Sequence, residues 1–99
     1  MADGRYEVSE PAKVREEFRG VLDRARELGI LPLVVLASRW ILEELARTPM
    51  NFGESREHRE HLDLHLRIGF APPVFVQFAV HDEQPIVFIR GFALCDAPG

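Results

Sequence analysis

The chain has one cysteine and one lysine, and it has no apolar run long enough to cross a bilayer. The single cysteine, Cys95, excludes an intrachain disulfide, which fits a reducing cytoplasm. The most apolar stretch covers residues 30–37, whereas a membrane helix needs about 20 residues. The N-terminus has no apolar run and predicts no signal peptide. We therefore expect a cytoplasmic protein without a membrane segment.

A surplus of positive charge is also missing. The formal net charge of −4 argues against a general nucleic-acid binder but leaves room for a local basic patch. Internal repeats and low-complexity segments are absent from the sequence. A length of 99 residues with 46% hydrophobic residues predicts one domain, residues 1–99, around a single core.

Alternating apolar residues dominate the chain from residue 62 to residue 94. Side chains two apart in a strand share a face, so this alternation predicts strands over 62–68, 74–80 and 86–94. The first has the apolar side Leu62, Leu64, Leu66 and Ile68. The third is apolar on both sides, which indicates a central strand covered on both faces. The short connections predict an antiparallel meander.

The first half of the chain predicts a short strand and two helices that cover this meander. Residues 5–9 alternate as a strand does, and Pro11 suits the first turn of a helix that ends at Gly29. Pro32 opens a second helix that runs to about Arg47. Residues 54–60 are almost wholly charged and predict a solvated loop or a frayed helical turn, while residues 1–4 and 96–99 predict loose ends. The order β-α-α-β-β-β predicts an α+β fold with two helices packed on one face of a mostly antiparallel sheet.

The second predicted helix carries more apolar side chains than one packing partner needs. The expected core stripe consists of Leu33, Leu36, Ala37, Trp40, Ile41 and Leu45. Val34, Val35 and Leu42 widen this stripe. Two interpretations stay open: part of the stripe is an interface, or the helix contacts both the sheet and the first helix. Trp40 and Phe52 are expected in the core.

The predicted fold resembles the RelE/ParE superfamily, the small toxins of type II toxin–antitoxin pairs. Besides the strand and helix hairpin, the likeness rests on the helix exit RTPMNFGE (Arg47–Glu54) and on the meander LHLRIGF…VFVQFAVHDEQPIVFIRGF. It covers nearly the whole chain. It implies a toxin neutralised by an antitoxin segment that wraps its surface. One branch of the family cuts messenger RNA on the ribosome, and another poisons DNA gyrase.

The sequence departs from the family's pattern where ribonuclease chemistry is expected. That chemistry needs cations, or an acid and a base, on the open face of the sheet. Residues 70–75 contain extra residues and no arginine, the tail 95–99 has no basic or aromatic residue, and the sheet region has no lysine. Only Arg67 and Arg90 then remain as basic positions in the predicted sheet. We therefore expect a protein that acts mainly by binding an antitoxin or a second copy of itself.

The alternative is a ribosome-dependent mRNA endoribonuclease, and a further alternative is an orphan binding domain without toxin activity. The candidate catalytic residues of the endoribonuclease are His65, Arg67, His81 and Arg90. His65 and Arg67 share one face of the first meander strand with Asp63, and Gln77 and His81 are expected across from them. Such a face could perform phosphate chemistry, or it is simply the solvated face of an amphipathic sheet.

Arg90 interrupts an otherwise apolar strand, on the side expected to carry Phe88 and Phe92. A buried charge without a partner is costly, so Arg90 either forms a salt bridge or lies at the open end of the sheet. Gly91 beside it indicates a β-bulge or a close backbone approach.

The four histidines raise the question of a metal site. His61 and His65 would share a face of a helix, but along a strand they lie about 13 Å apart, too far for one zinc ion. His58 and His61 could still meet in the charged segment, although exposed loop histidines are the ordinary case. We therefore expect no metal and no cofactor.

Overall fold

A computed structural model describes residues 5–95, which form two helices and one five-stranded sheet. The elements are strand β1 (Glu7–Ser9), helices α1 (Ala12–Glu27) and α2 (Leu31–Arg47), and strands β2 (Glu54–Arg59), β3 (Leu64–Ala71), β4 (Val74–His81) and β5 (Ile86–Leu94). The sheet order is β1-β5-β4-β3-β2, and only β1 and β5 pair in parallel. The predicted α+β fold, with two helices packed against a mostly antiparallel sheet, is confirmed, and strand β2 is one strand more than the predicted order β-α-α-β-β-β contains. The predicted loose ends, 1–4 and 96–99, lie outside the described residues.

Both helices pack on the same face of the sheet. Their buried residues meet those of β4 and β5 in one core, which includes Val14, Val21, Ala25, Val34, Ala37, Ile41, Leu45, Val74, Val76, Phe78, Val80, Val87, Ile89 and Phe92. Between the helices, Gly29 has the left-handed φ of 76°, which glycine adopts without strain. The Ile30 N–H then donates to the Ala25 carbonyl at 2.9 Å, so α1 ends as predicted.

The core stripe predicted for α2 is wrong in part, because the helix is rotated about its axis. Val34 is fully buried, whereas Leu36 and Trp40 are 63% and 50% exposed, and Leu33 is exposed as well. Trp40 is therefore not a core residue, although its ring contacts the buried Phe52 edge-on, with 5.4 Å between ring centroids. Leu33, Leu36 and Trp40 form an exposed apolar strip along α2. This strip agrees with the interpretation that part of the helix is an interface, which stays a prediction.

The charged segment 54–60 is not a loop. Residues 54–59 are strand β2, paired antiparallel with β3 at the edge of the sheet. All six residues are exposed, so neither face of the strand had to be apolar, and no alternation marks it in the sequence. Backbone hydrogen bonds to β3 hold this strand in place of apolar contacts.

The first meander strand begins later than predicted. Leu62 belongs to a single 3₁₀ turn, residues 60–62, and Asp63 follows with a left-handed φ of 53°. This turn links the edge strand β2 to β3 and leaves Leu62 half-exposed. Asp63 therefore does not lie on a strand face with His65 and Arg67.

The register of β3 reverses the predicted orientation of its side chains. His65 pairs with Val80 and Arg67 pairs with Phe78, and both partners lie in the core under the helices. Paired residues on neighbouring strands point to the same side. Leu64, Leu66, Ile68 and Phe70 therefore lie on the other side, which we call the open face.

The open face carries apolar side chains although the two helices leave it uncovered, contrary to the prediction that the third meander strand is covered on both faces. Leu66 and Ala79 are buried there, yet neither belongs to the core under the helices. They pair with each other, and Ala79 also pairs with Phe88 of β5. Within residues 5–95 no second layer lies over Leu66 and Ala79, so their neighbours in the sheet shield them from water.

A β-bulge in β5 decides where Arg90 lies. Gln77 pairs with Gly91 and Phe78 with Ile89, so Arg90 is the extra residue. Arg90 is exposed on the open face with Phe88, whereas Phe92 belongs to the core. The predicted bulge is confirmed, and the prediction that Arg90 shares a side with Phe92 is wrong because the bulge shifts the alternation by one residue.

The other sheet edge is only partly covered by β1, which pairs with residues 86–88 of β5. Beyond residue 88, a side chain of α1 takes the place of a neighbouring strand as hydrogen-bond partner of β5. The Phe92 backbone N–H donates to the Glu17 carboxylate at 2.8 Å. This bond satisfies a donor that the edge of the sheet would otherwise leave to water.

Candidate functional site

Three arginines from two strands border the centre of the open face. Arg56 and Arg59 come from β2, and Arg90 comes from the bulge of β5. They line a hollow of about 320 Å³ together with Glu57, Leu66, Arg67, Ile68 and Gln77. The sequence predicts a loop or a frayed helical turn over residues 54–60, so Arg56 and Arg59 are not expected in the sheet. The prediction that the sheet offers only two basic positions is therefore wrong.

These arginines differ in their partners. Arg59 donates to the Glu57 carboxylate at 3.0 Å, an exposed pair within the same strand. Within residues 5–95, neither Arg56 nor Arg90 forms an ion pair or a side-chain hydrogen bond, and both are exposed. Their guanidinium groups are available to an anion, which arginine binds through two parallel N–H donors.

An apolar hollow adjoins the arginines on the same face. It has a volume of about 210 Å³, is bordered by Arg59 and Arg90, and is lined by Leu62, Leu64, Leu66, Ala79 and Phe88. Leu62 is 49% exposed. A ligand on this face would therefore meet apolar surface and positive charge side by side.

The structure does not bring the four candidate catalytic residues together. His65 and Arg67 lie on the helix side of the sheet. The Arg67 guanidinium donates to the carbonyls of Phe52 and Gly53 at 3.2 and 3.0 Å, which fixes the turn before β2. Arg67 thus holds backbone in place.

His81 and Arg90 lie on the open side, but His81 supports a turn. Its Nδ1 accepts hydrogen bonds from the backbone N–H groups of Glu83 and Gln84 at 3.1 and 3.0 Å. The expected placement of Gln77 and His81 across from His65 is wrong, since both pair with open-face residues of β3. Of the four candidates, Arg67 and Arg90 both border the hollow of Arg56 and Arg59, but the Arg67 guanidinium is already engaged with the Phe52 and Gly53 carbonyls.

A second cluster lies on the helix side, at the corner where β2, β3 and the end of β4 meet. His58 and His65 are directly paired across β2 and β3, and their rings stack in parallel with centroids 4.0 Å apart. Each ring points its Nε2 at the same carboxylate: His58 lies 2.8 Å from one Asp82 oxygen and His65 lies 2.9 Å from the other. One nitrogen of each ring and one Asp82 oxygen lie within 4.8 Å of one another.

The sequence alone does not predict this cluster. It predicts His58 in a charged loop with His61 as its neighbour, and no pattern in the sequence marks Asp82 as a partner of either histidine. The strand register connects these residues. Once β2 pairs with β3 so that His58 lies opposite His65, the pairing of β3 with β4 brings the end of β4 beside both histidines. Asp82 is tied there, since its N–H donates to the Asp63 carbonyl at 2.8 Å.

Charges around the cluster shift two pKa values in opposite directions. The hydrogen bond to Asp82 raises the pKa of His58 above 6.5, and the charges of Asp82, Glu60 and Asp63 act in the same direction. The hydrogen bond from His58 lowers the pKa of Asp82 below 3.8, helped by the charges of His58 and His65. The folded protein therefore favours the imidazolium–carboxylate pair.

This pair predicts a pH-dependent contribution to stability in metal-free buffer. The His58 contribution is complete below pH 6.5 and is lost as pH rises through the raised pKa of the folded state. The Asp82 contribution is complete above pH 3.8 and is lost as pH falls through the lowered pKa. We expect H58Q to lower the free energy of unfolding more at about pH 5 than at about pH 9.

Urea denaturation of the wild type and H58Q at both pH values measures this difference. H61Q is the control, because His61 lies in the adjacent 3₁₀ turn and makes no contact with Asp82 in the described part of the chain. A loss in H58Q that is equal at both pH values would show that the pair contributes no pH dependence.

Comparison of this chain with family models, with curated proteins and with solved structures finds no significant match. Neither helix of the described part of the chain is long and apolar enough to cross a membrane. The function is therefore inferred from the two clusters and the open face themselves.

Proposed function

We propose that this domain acts by binding a second protein, an antitoxin-like partner, on the open face of its sheet. The observation that carries this proposal is the apolar hollow around Leu66 beside Arg56 and Arg90, two exposed arginines without an ion pair among residues 5–95. The partner that fits is a segment that carries both apolar and acidic side chains. Its apolar groups would occupy the hollow, and its carboxylates would accept charge-assisted hydrogen bonds from the arginines.

The RelE/ParE resemblance supports the same kind of partner, because toxins of that family are neutralised by a segment that wraps their surface. A second copy of this chain fits less well. A two-fold dimer through this patch would place the arginines of one copy against those of the other. Each chain also carries a net charge of −4, which adds repulsion between copies. We therefore expect two copies of the chain not to associate through the open face.

Reversing the charge of Arg90 is expected to weaken partner binding at least about tenfold, the effect of losing one hydrogen bond to a charged group. The partner to test is the product of the neighbouring reading frame, co-expressed with the chain and purified as a complex. Binding is measured by calorimetry with the wild type, R90E and the control R19E. Arg19 is exposed on α1 and pairs with Glu16 at 2.7 Å, so R19E makes the same change of charge far from the open face.

Three outcomes distinguish the hypotheses. A complex weakened by R90E but not by R19E supports the proposal. A complex that R90E leaves unchanged contradicts the proposed surface. If no complex forms and expression in a bacterial host is harmless, the hypothesis of a toxin-like protein is contradicted. An orphan binding domain is then favoured.

One observation also favours the ribosome-dependent endoribonuclease as a second candidate. The hollow that holds Arg56, Arg59 and Arg90 has the donors that an RNA phosphate needs, and Glu57 in the same hollow is a carboxylate that could accept a proton. Cleavage of mRNA in a purified translation reaction, lost in R90E and retained in R19E, would establish this activity. Arginine binds both carboxylate and phosphate, so both hypotheses use this hollow and the cleavage assay separates them.

A further inference from the structure

We propose that His58, His65 and Asp82 form a binding site for a zinc-type divalent cation. Two imidazole nitrogens and a carboxylate oxygen are a ligand set that zinc takes in proteins, with the fourth position left to water or another ligand. These atoms already converge, since all three lie within 4.8 Å of one another. The site lies on the helix side of the sheet, so it is independent of the proposed binding face.

The distances allow a cation with a small local adjustment. At present the Asp82 oxygens lie 2.8 and 2.9 Å from the two Nε2 atoms, the lengths of hydrogen bonds. In a tetrahedral site with metal–ligand bonds of about 2.1 Å, neighbouring ligand atoms lie roughly 3.4 Å apart. A cation would therefore replace the proton between His58 and Asp82, widen the two nitrogen–oxygen contacts by about 0.5 Å and draw together any ligand atoms that now lie up to 4.8 Å apart. The side chains are 21–39% exposed, so solvent can deliver the ion.

The charges around the cluster suit a cation. Besides Asp82, the carboxylates of Glu60 and Asp63 act electrostatically on His58. Imidazole nitrogen is a ligand for zinc, cobalt, nickel and copper, whereas magnesium prefers oxygen ligands only. The donor set therefore predicts binding of Zn²⁺ and Co²⁺ and rejection of Mg²⁺.

The scaffold gives this cation a structural role. Its ligands come from β2, from β3 and from the residue after β4, which are three consecutive strands of the sheet. β2 is an edge strand whose side chains are all exposed, so apolar packing does not hold it. A bound cation would tie this strand to the end of β4 and stabilise the folded chain by mass action.

The test uses the full chain without an affinity tag. Titration with Co²⁺ is expected to give one ion per chain with the intense visible absorption of a tetrahedral site, and calorimetry with Zn²⁺ is expected to give the same stoichiometry. D82N and H65Q are expected to weaken Zn²⁺ binding at least tenfold. H61Q is the matched control, since it removes a nearby histidine outside the cluster and should bind Zn²⁺ like the wild type.

Thermal denaturation gives a second readout. Zn²⁺ at about 100 times its dissociation constant is expected to raise the melting temperature of the wild type by roughly 10 °C, and Mg²⁺ is expected to leave it unchanged. Circular dichroism shows whether each variant folds, and D82N keeps the test valid if H65Q does not fold. Zn²⁺ affinity in the wild type no tighter than in D82N would overturn the proposal, as would equal loss of affinity in H61Q.

Discussion

Replacing Phe78 by alanine is expected to lower the free energy of unfolding by about 3–5 kcal/mol. Phe78 is fully buried in the centre of β4 and is among the largest side chains with no exposure. Its ring stacks on Phe52, with 5.8 Å between centroids. The truncation would open a cavity under the helices and remove the support of Phe52. A domain of this size has only about 5–15 kcal/mol of stability, so F78A should lose a large fraction of it.

Phe70→Ala is the matched control, because it removes the same atoms from the open face. Phe70 is 42% exposed and stacks on Phe75 with 4.3 Å between centroids. Its loss should cost about 1 kcal/mol or less. Urea denaturation followed by circular dichroism measures both variants. Equal losses in F78A and F70A would contradict the assignment of the core to the helix side of β4.

Gly53→Ala is expected to destabilise the fold by at least about 3 kcal/mol. Gly53 lies in the turn between α2 and β2 and has a φ of 75°, a left-handed conformation in which a side chain is strained. A Cβ at this position would overlap the Ile68 carbonyl oxygen and lie 2.8 Å from the Gly69 Cα. Both obstacles are backbone of β3, which cannot give way as a flexible side chain can.

Gly20→Ala provides the opposite expectation for the same chemical change. Gly20 is exposed within α1, and a Cβ there would meet no atom within 4 Å. The substitution should raise the free energy of unfolding by about 0.5–1 kcal/mol, because alanine loses less backbone entropy in a helix. If urea denaturation found G53A as stable as the wild type, the close approach of this turn to β3 would be refuted.

Much of the fold was predictable because its strongest elements follow simple rules. The alternation in 74–80 and 86–94 located β4 and β5, and proline and glycine located both helices. Strand β2 was missed because an edge strand exposed on both faces needs no hydrophobic pattern. The rotation of α2 was missed because Leu36 and Val34 are equally apolar, and only the packed structure shows which of them faces the sheet.

The candidate sites were less predictable, because each depends on tertiary placement. Arg56 and Arg59 join Arg90 only once β2 is recognised as part of the sheet. Assigning His65 to a face required knowledge of which side of β3 the helices cover. The apolar residues of that strand suggested the wrong answer, since they lie on the open face.

Both borders of this sheet discourage the addition of another strand. On one side, six consecutive exposed residues of β2 present charged and polar groups to any approaching chain. On the other side, the Glu17 carboxylate already accepts the Phe92 N–H, so an incoming backbone finds that donor occupied. Copies of the protein should therefore resist edge-to-edge polymerisation even at high concentration. A ligand that extends the sheet through backbone hydrogen bonds therefore finds few accessible partners at either edge. We expect recognition to depend on the side chains of this protein instead.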